Sequence, residues 1–99
     1  MKMYILVRKS IGKGFAMTAA AHASLQCHLM YNDVLEYKEW LNTSFKKVIC
    51  KVSDEELEMA REAGYYVETT ESRLDGKLVA VTFCPRKDWP ECFSTFKLY

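Results

Sequence analysis

The tightest constraint on this sequence is the passage from a short apolar run, across two glycines, into a long alanine-rich stretch. Met3-Tyr4-Ile5-Leu6-Val7-Arg8 is a continuous apolar run bounded by charge, the pattern of a strand covered on both faces. Lys9-Ser10-Ile11-Gly12-Lys13-Gly14 follows, and its glycines predict a tight turn with φ above zero. From Phe15 to about Tyr31 the chain is rich in Ala, Leu and Met, all good helix formers. Apolar residues lie on nearly every side of that stretch, which predicts a deeply packed helix. The small side chains of Ala16, Ala19, Ala20, Ala21 and Ala23 would let it lie close to a sheet.

The remaining elements can be read in the same way. Asn32-Asp33 predicts a cap for a second helix through Leu41, with Val34, Leu35, Tyr37 and Trp40 as its apolar contacts. Lys46 to Val52 reads as a second strand. Ser53-Asp54-Glu55-Glu56 is a capping box opening a helix that ends at Gly64. Carboxylates in a first helical turn complement the dipole, so this acidic cluster needs no catalytic explanation. Tyr65 to Thr70 and Leu78 to Cys84 read as strands joined by the turn Ser72–Lys77, a β-hairpin. Pro85 closes the last strand, and a final helix is expected from Asp88, with Trp89, Phe93 and Phe96 packing back on the core. The expected fold class is α/β, a small four-stranded mixed sheet flanked by helices in the order β-α-α-β-α-β-β-α.

At 99 residues the chain is expected to form one domain, 1–99, and its 49% apolar content suits a real core. Lys plus Arg number 14 and Asp plus Glu 13, for a net charge of +1. Any basic site must therefore be local, and a compact nucleotide suits such a balance better than a long RNA track. Cys27, Cys50, Cys84 and Cys92 are widely spaced, without zinc-ligand spacing, and read as free thiols in a reducing cytosol. No stretch reaches 18 apolar residues and the N-terminus lacks a signal-peptide pattern, so a cytoplasmic protein away from membranes is expected. Nothing in the pattern asks for a metal or a cofactor.

The glycine turn is the main candidate site. A Gly-rich turn leading from a buried strand into a helix presents unpaired backbone N–H groups, which suit a phosphate or carboxylate. Lys9 and Lys13 add mobile charge, and Arg8 stands at the strand's C-terminal end, where open α/β sheets bind ligands. On motif alone, Gly12 and Gly14 serve equally as a plain turn, and no Walker A pattern follows. His22, inside the alanine-rich helix, suits a packed, hydrogen-bonded role better than catalysis. No serine or cysteine sits in a nucleophile motif. Asp75-Gly76 is a turn signature, and joins a site only if the hairpin faces the glycine loop.

The segments Val7-Arg8-Lys9, Gly12-Lys13-Gly14 and Ala21-His22-Ala23 together resemble the signature of type II peptidyl-tRNA hydrolases. The likeness continues through Lys47-Val48-Ile49 with Val52, the acidic helix, the hairpin and Phe96-Lys97-Leu98, so it spans nearly the whole chain. The resemblance implies the family's fold, and ester hydrolysis at a tRNA end as the ancestral activity. The family's second lysine falls on Phe15, its glutamine on Ala19, its hairpin aspartate on Thr70 and its threonine on Leu74. Arg8, Lys13, His22 and Arg73 match. Ester hydrolysis needs groups that orient water, move a proton and stabilise an oxyanion, and neither Phe nor Leu can do so.

What the resemblance then implies is a catalytically degenerate member, with no catalytic residue, that binds a nucleotide or RNA end. Arg8, Lys9, Lys13 and Arg73 would meet phosphate, and Phe15 would stack a base, with Gly12, Gly14, Thr18 and His22 around them. Sequestration of a nucleotide signal is one use for such a protein. Two alternatives stay open: a divergent active hydrolase, and a ligand-free interaction module whose aromatic tail makes a homo-oligomer.

Overall fold

The computed structural model describes residues 1–99. Its elements are β1 (Lys2–Arg8), α1 (Lys13–Tyr31), α2 (Leu35–Asn42), β2 (Lys46–Val52), α3 (Asp54–Arg61), β3 (Tyr66–Glu71), β4 (Lys77–Phe83) and β5 (Lys97–Leu98). They form one mixed sheet in the order β3-β4-β1-β2-β5. β1 and β2 run parallel, from Lys2 beside Lys46 to Arg8 beside Val52, because helices α1 and α2 carry the chain back across the sheet between them. The neighbours β1–β4, β3–β4 and β2–β5 are antiparallel.

Met3 to Val7 are buried along the whole of β1, as a strand covered on both faces must be. Its side chains alternate between two cores. Met3, Ile5 and Val7 face α1 and α2, with Ala16, Ala19, Ala23, Cys27, Tyr37 and Trp40. Tyr4 and Leu6 face α3 and the C-terminal segment, with Leu57, Ala60, Phe83, Phe93 and Phe96. Phe93 sits at the centre of an aromatic group, its ring centroid 4.9–5.2 Å from those of Tyr4, Phe83, Trp89 and Phe96. The capping box at Ser53 is present in both directions: the Ser53 hydroxyl accepts from the Glu56 N–H, and the Glu56 carboxylate accepts from the Ser53 N–H.

Four expectations are corrected. The segment after Asp88 is not an α-helix but a 3-10 turn, Glu91–Thr95, followed by the two-residue strand β5. Pro90 opens that turn, and Lys97–Leu98 takes the free edge of β2, so the sheet has five strands rather than four. Neither loop glycine has positive φ: Gly12 is extended (φ −69°) as the N-cap of α1, and of the four glycines only Gly64 and Gly76 lie in the left-handed region. The exit from β1 instead runs through Lys9–Ile11, anchored by the buried Ile11. Asn32 closes α1, donating to the carbonyls of His28 and Leu29, so α2 starts from Val34 with no side-chain cap. Finally, α1 is not packed all round. Its Ala16, Ala19, Ala23 and Cys27 are buried against the sheet, while Met17, Leu25 and Leu29 stand 59–68% exposed.

Phe93→Ala is expected to lower stability by about 3–5 kcal/mol, because it opens a cavity among four rings. Leu35→Ala, 77% exposed, should change stability by no more than about 0.5 kcal/mol. Urea unfolding followed by tryptophan fluorescence measures both.

Candidate functional site

The site is built at one end of the sheet, where β1 gives way to α1 and the β3–β4 turn comes alongside. The first internal helix bond of α1 runs from the Ala16 N–H to the Gly12 carbonyl, 2.9 Å. The N–H groups of Lys13, Gly14 and Phe15 have no partner within the helix, as at any helix start. No side chain caps this end and no acid lies in its first turn, so the positive end of the dipole is uncompensated. A β-carbon placed on Gly12 or Gly14 would meet nothing within 4 Å. The glycines therefore serve neither backbone strain nor close packing, and they leave the space in front of the N–H groups open.

Phe15, Thr18, His22 and Gln26 recur at the spacing of one helical face, and this face looks onto the edge strand β3. Val67, Thr69 and Glu71 alternate along β3 toward it. The Arg73 guanidinium lies 4.9 Å from the centre of the Phe15 ring, within cation–π range. The Thr69 hydroxyl donates to the Gln26 side-chain oxygen at 2.6 Å. Thr18 donates to the Gly14 carbonyl at 3.2 Å. The hairpin therefore does face the glycine loop. Its turn is set by Asp75 and Gly76, both at positive φ (56° and 74°).

Glu71 is the residue that sequence reasoning missed. It is only 7% exposed, and its carboxylate accepts from the Arg73 N–H at 2.9 Å and from Arg73 Nε at 3.3 Å. The Arg73 backbone hydrogen bond, then its side-chain bond, hold the Glu71 carboxyl below the ordinary value of 4.5, and nearby His22 adds to the effect. Alignment to the family motif had pointed to Thr70, whose side chain is exposed on the other face of the strand. The period-2 pattern from Val67 would have found Glu71 instead. Leu74 packs against the α1-side core.

The other sequence-derived residues fall in different places. Lys9 and Lys13 are exposed beside the loop and belong to none of the ion pairs. Arg8 points to the opposite face of the sheet. Its Nε and Nη2 fork onto the Asp54 carboxylate, both at 2.9 Å, and Nη1 donates to the Leu78 carbonyl at 3.1 Å. Arg8 thus ties the end of β1 to α3 and β4, away from Phe15 and Arg73. The three buried thiols are not activated: burial pushes Cys27 up to about 12, and Cys50 and Cys84 up to about 11. The arrangement can hold an anion at the α1 N-terminus, an aromatic plane at Phe15, and hydrogen-bond donors at Glu71.

A family model described as peptidyl-tRNA hydrolase PTH2 matches residues 1–71, from β1 through the last residue of β3. Arg73 and the β3–β4 turn lie just beyond the match. No curated protein matches the sequence. No helix is long and apolar enough to cross a membrane.

Because Glu71 titrates below its unfolded value of 4.5, its contribution is complete above that pH and is lost as pH falls through the lowered folded value. Glu71→Gln should accordingly flatten the decline of Tm with acidification below about pH 4.5, with no change in slope near neutrality. An acid slope identical to that of the wild type would show that the carboxylate is not held.

Proposed function

The chain belongs to the PTH2 family of peptidyl-tRNA hydrolases, and we propose that within it this protein binds a phosphate-bearing nucleotide without cleaving it. The observation that carries the reading is the Phe15–Arg73 stack beside an uncapped helix start. Phosphate fits the three free N–H groups and Lys13, where backbone donors and the helix dipole act together. Phe15 offers a face for a base, since stacking on an aromatic ring tolerates any base. Glu71, ionised at neutral pH, accepts hydrogen bonds from ribose hydroxyls or an exocyclic amine. It also offsets the charge of Arg73, so the positive potential concentrates at Lys13 and Lys9.

The residues present support a loss of turnover. Where the family carries its second lysine and its hairpin threonine, this chain has Phe15 and Leu74, which neither move protons nor stabilise an oxyanion. Arg8, held by Asp54, takes no part in the ligand contacts. A protein of this kind, small and without a chemical step, suits sequestration of a nucleotide signal. The lowered Glu71 carboxyl beside His22 supports a second reading, residual ester hydrolysis with that pair ordering water.

Titration calorimetry against nucleoside mono-, di- and triphosphates and inorganic pyrophosphate tests the proposal. Lys13→Ala is expected to weaken nucleotide binding by roughly 10- to 100-fold, and Phe15→Ala by about 10-fold or more, with pyrophosphate little affected. Gly12→Ala should weaken binding while leaving Tm within about 2 °C of wild type, because its β-carbon meets only open space. A panel in which nothing binds overturns the reading. Release of tRNA from peptidyl-tRNA, lost in Glu71→Gln and Lys13→Ala, would replace it with the hydrolase.

A further inference from the structure

Strand β2 is covered along only part of its outer edge. β1 pairs with it over its whole length, but β5 pairs only with Cys50 and Lys51, and the Tyr99 N–H donates to the Ile49 carbonyl at 2.8 Å. Peptide groups alternate between the two edges of a strand. Since the Ile49 carbonyl turns outward to Tyr99, the N–H and C=O of Lys47 turn the same way, and no strand stands beside them. A groove of about 910 Å³ follows this open stretch and is lined from both faces of the sheet, by Met17 and Ala20 of α1 on one and by Tyr4, Phe93 and Phe96 on the other. We propose that the open edge at Lys46–Val48 takes up an extended acidic segment of a partner protein, which adds to the sheet as a further strand.

Charge identifies the occupant. Lys2, Lys46, Lys47, Lys51 and Lys97 stand on β1, β2 and β5, and these three strands carry no Asp or Glu. None of the five lysines belongs to an ion pair. Lys2 lies beside Lys46 and Lys51 opposite Lys97, and like charges so placed cost stability. Lys47 is held in position, its ammonium 3.3 Å from the centre of the Phe45 ring. Lysines on an edge keep out other basic edges, a second copy of this chain included; the same charge admits an acidic strand. They also flank the edge on both faces, since alternation puts Lys2 and Lys46 on the face of Tyr4, and Lys47 and Lys51 on the face of α1. A strand in the plane of the sheet is reached by both sets, whereas a nucleic-acid duplex would rest on one. The groove adds selectivity. A side chain opposite Val48 projects, as Val48 does, toward the core of Tyr4, Phe93 and Phe96, so an apolar residue fits there, with acidic residues opposite Lys46 and Lys47. The glycine loop follows the C-terminal end of β1 and this edge lies beside its N-terminal end, so the two sites are separate.

Fluorescence anisotropy tests this with the intact protein and a labelled synthetic peptide of about eight residues, glutamates around one leucine. A contact this short predicts a dissociation constant of tens of micromolar at about 50 mM salt, weakened about 10-fold or more at about 300 mM as the charges are screened. Lys46→Glu should weaken binding by about 10-fold or more. Lys47→Pro removes the outward N–H and leaves the ladder to β1 whole, so it should weaken binding further than Lys47→Gln, which keeps that N–H. The same peptide with alternate backbone nitrogens methylated cannot pair as a strand and should not bind, an arm that needs no altered protein. The proposal is overturned if the acidic peptide fails to bind at about 500 μM protein, if the methylated peptide binds equally well, or if Lys46→Glu leaves binding unchanged. A short RNA duplex that binds through Lys46 and is not displaced by the peptide overturns it too, and would make this edge a nucleic-acid contact.

Discussion

The two cores of this protein share one wall, and that wall is β1. Met3, Ile5 and Val7 on one side and Tyr4 and Leu6 on the other are all nearly inaccessible, and the strand is hydrogen-bonded to β2 and β4 along its two edges. Such a strand can donate and accept in both directions only if it is central, and can be apolar on both faces only if both faces are covered. The consequences run outward from its C-terminal end. Arg8 clamps Asp54 and the Leu78 carbonyl, fixing where α3 starts and where β4 lies. Five residues later α1 begins, and its uncapped start inherits its position from the same strand end. Burial of five residues therefore sets the place of the site as well as the fold.

Much of this was legible in the sequence because the signals were local and strong. The apolar run of β1, the alanines of α1, the Ser53–Glu56 capping box and the Asp75-Gly76 turn each specify their own geometry from residues within reach of one another. What could not be read depended on tertiary context. The tail from Asp88 has helix-compatible spacing at Trp89, Phe93 and Phe96, yet the same spacing lets a 3-10 turn bury those rings while the last residues pair with β2. Leu25 and Leu29 look like core residues in a linear reading. They are exposed because the sheet is satisfied by alanines on the opposite side of α1, and no other element reaches over the helix. Glu71 was missed because a motif alignment counts positions, whereas a strand sorts them by parity.

The site straddles the edge of the family match, which ends at Glu71. The glycine loop, Lys13 and the helix start stand within the portion that marks the chain as a PTH2 family member. Phe15 lies at the start of α1, and the Arg73 guanidinium from the β3–β4 turn reaches its ring. The Asp75-Gly76 turn sets where the hairpin meets the start of α1. Glu71, turned inward and tied to the Arg73 backbone, also rigidifies the turn, so the guanidinium over Phe15 is placed by the fold rather than by chance.

The empty space around Gly12 and Gly14 has an evolutionary consequence. Alanine inside the first turn of a helix is intrinsically preferred to glycine by roughly 0.5–1 kcal/mol, and here no steric reason opposes it. Under selection for folding alone, Gly14 would drift to alanine downhill in free energy. Along descendants of this chain, the fate of the Gly14 codon would therefore record whether something still docks against the bare amides, independently of whether the domain still folds.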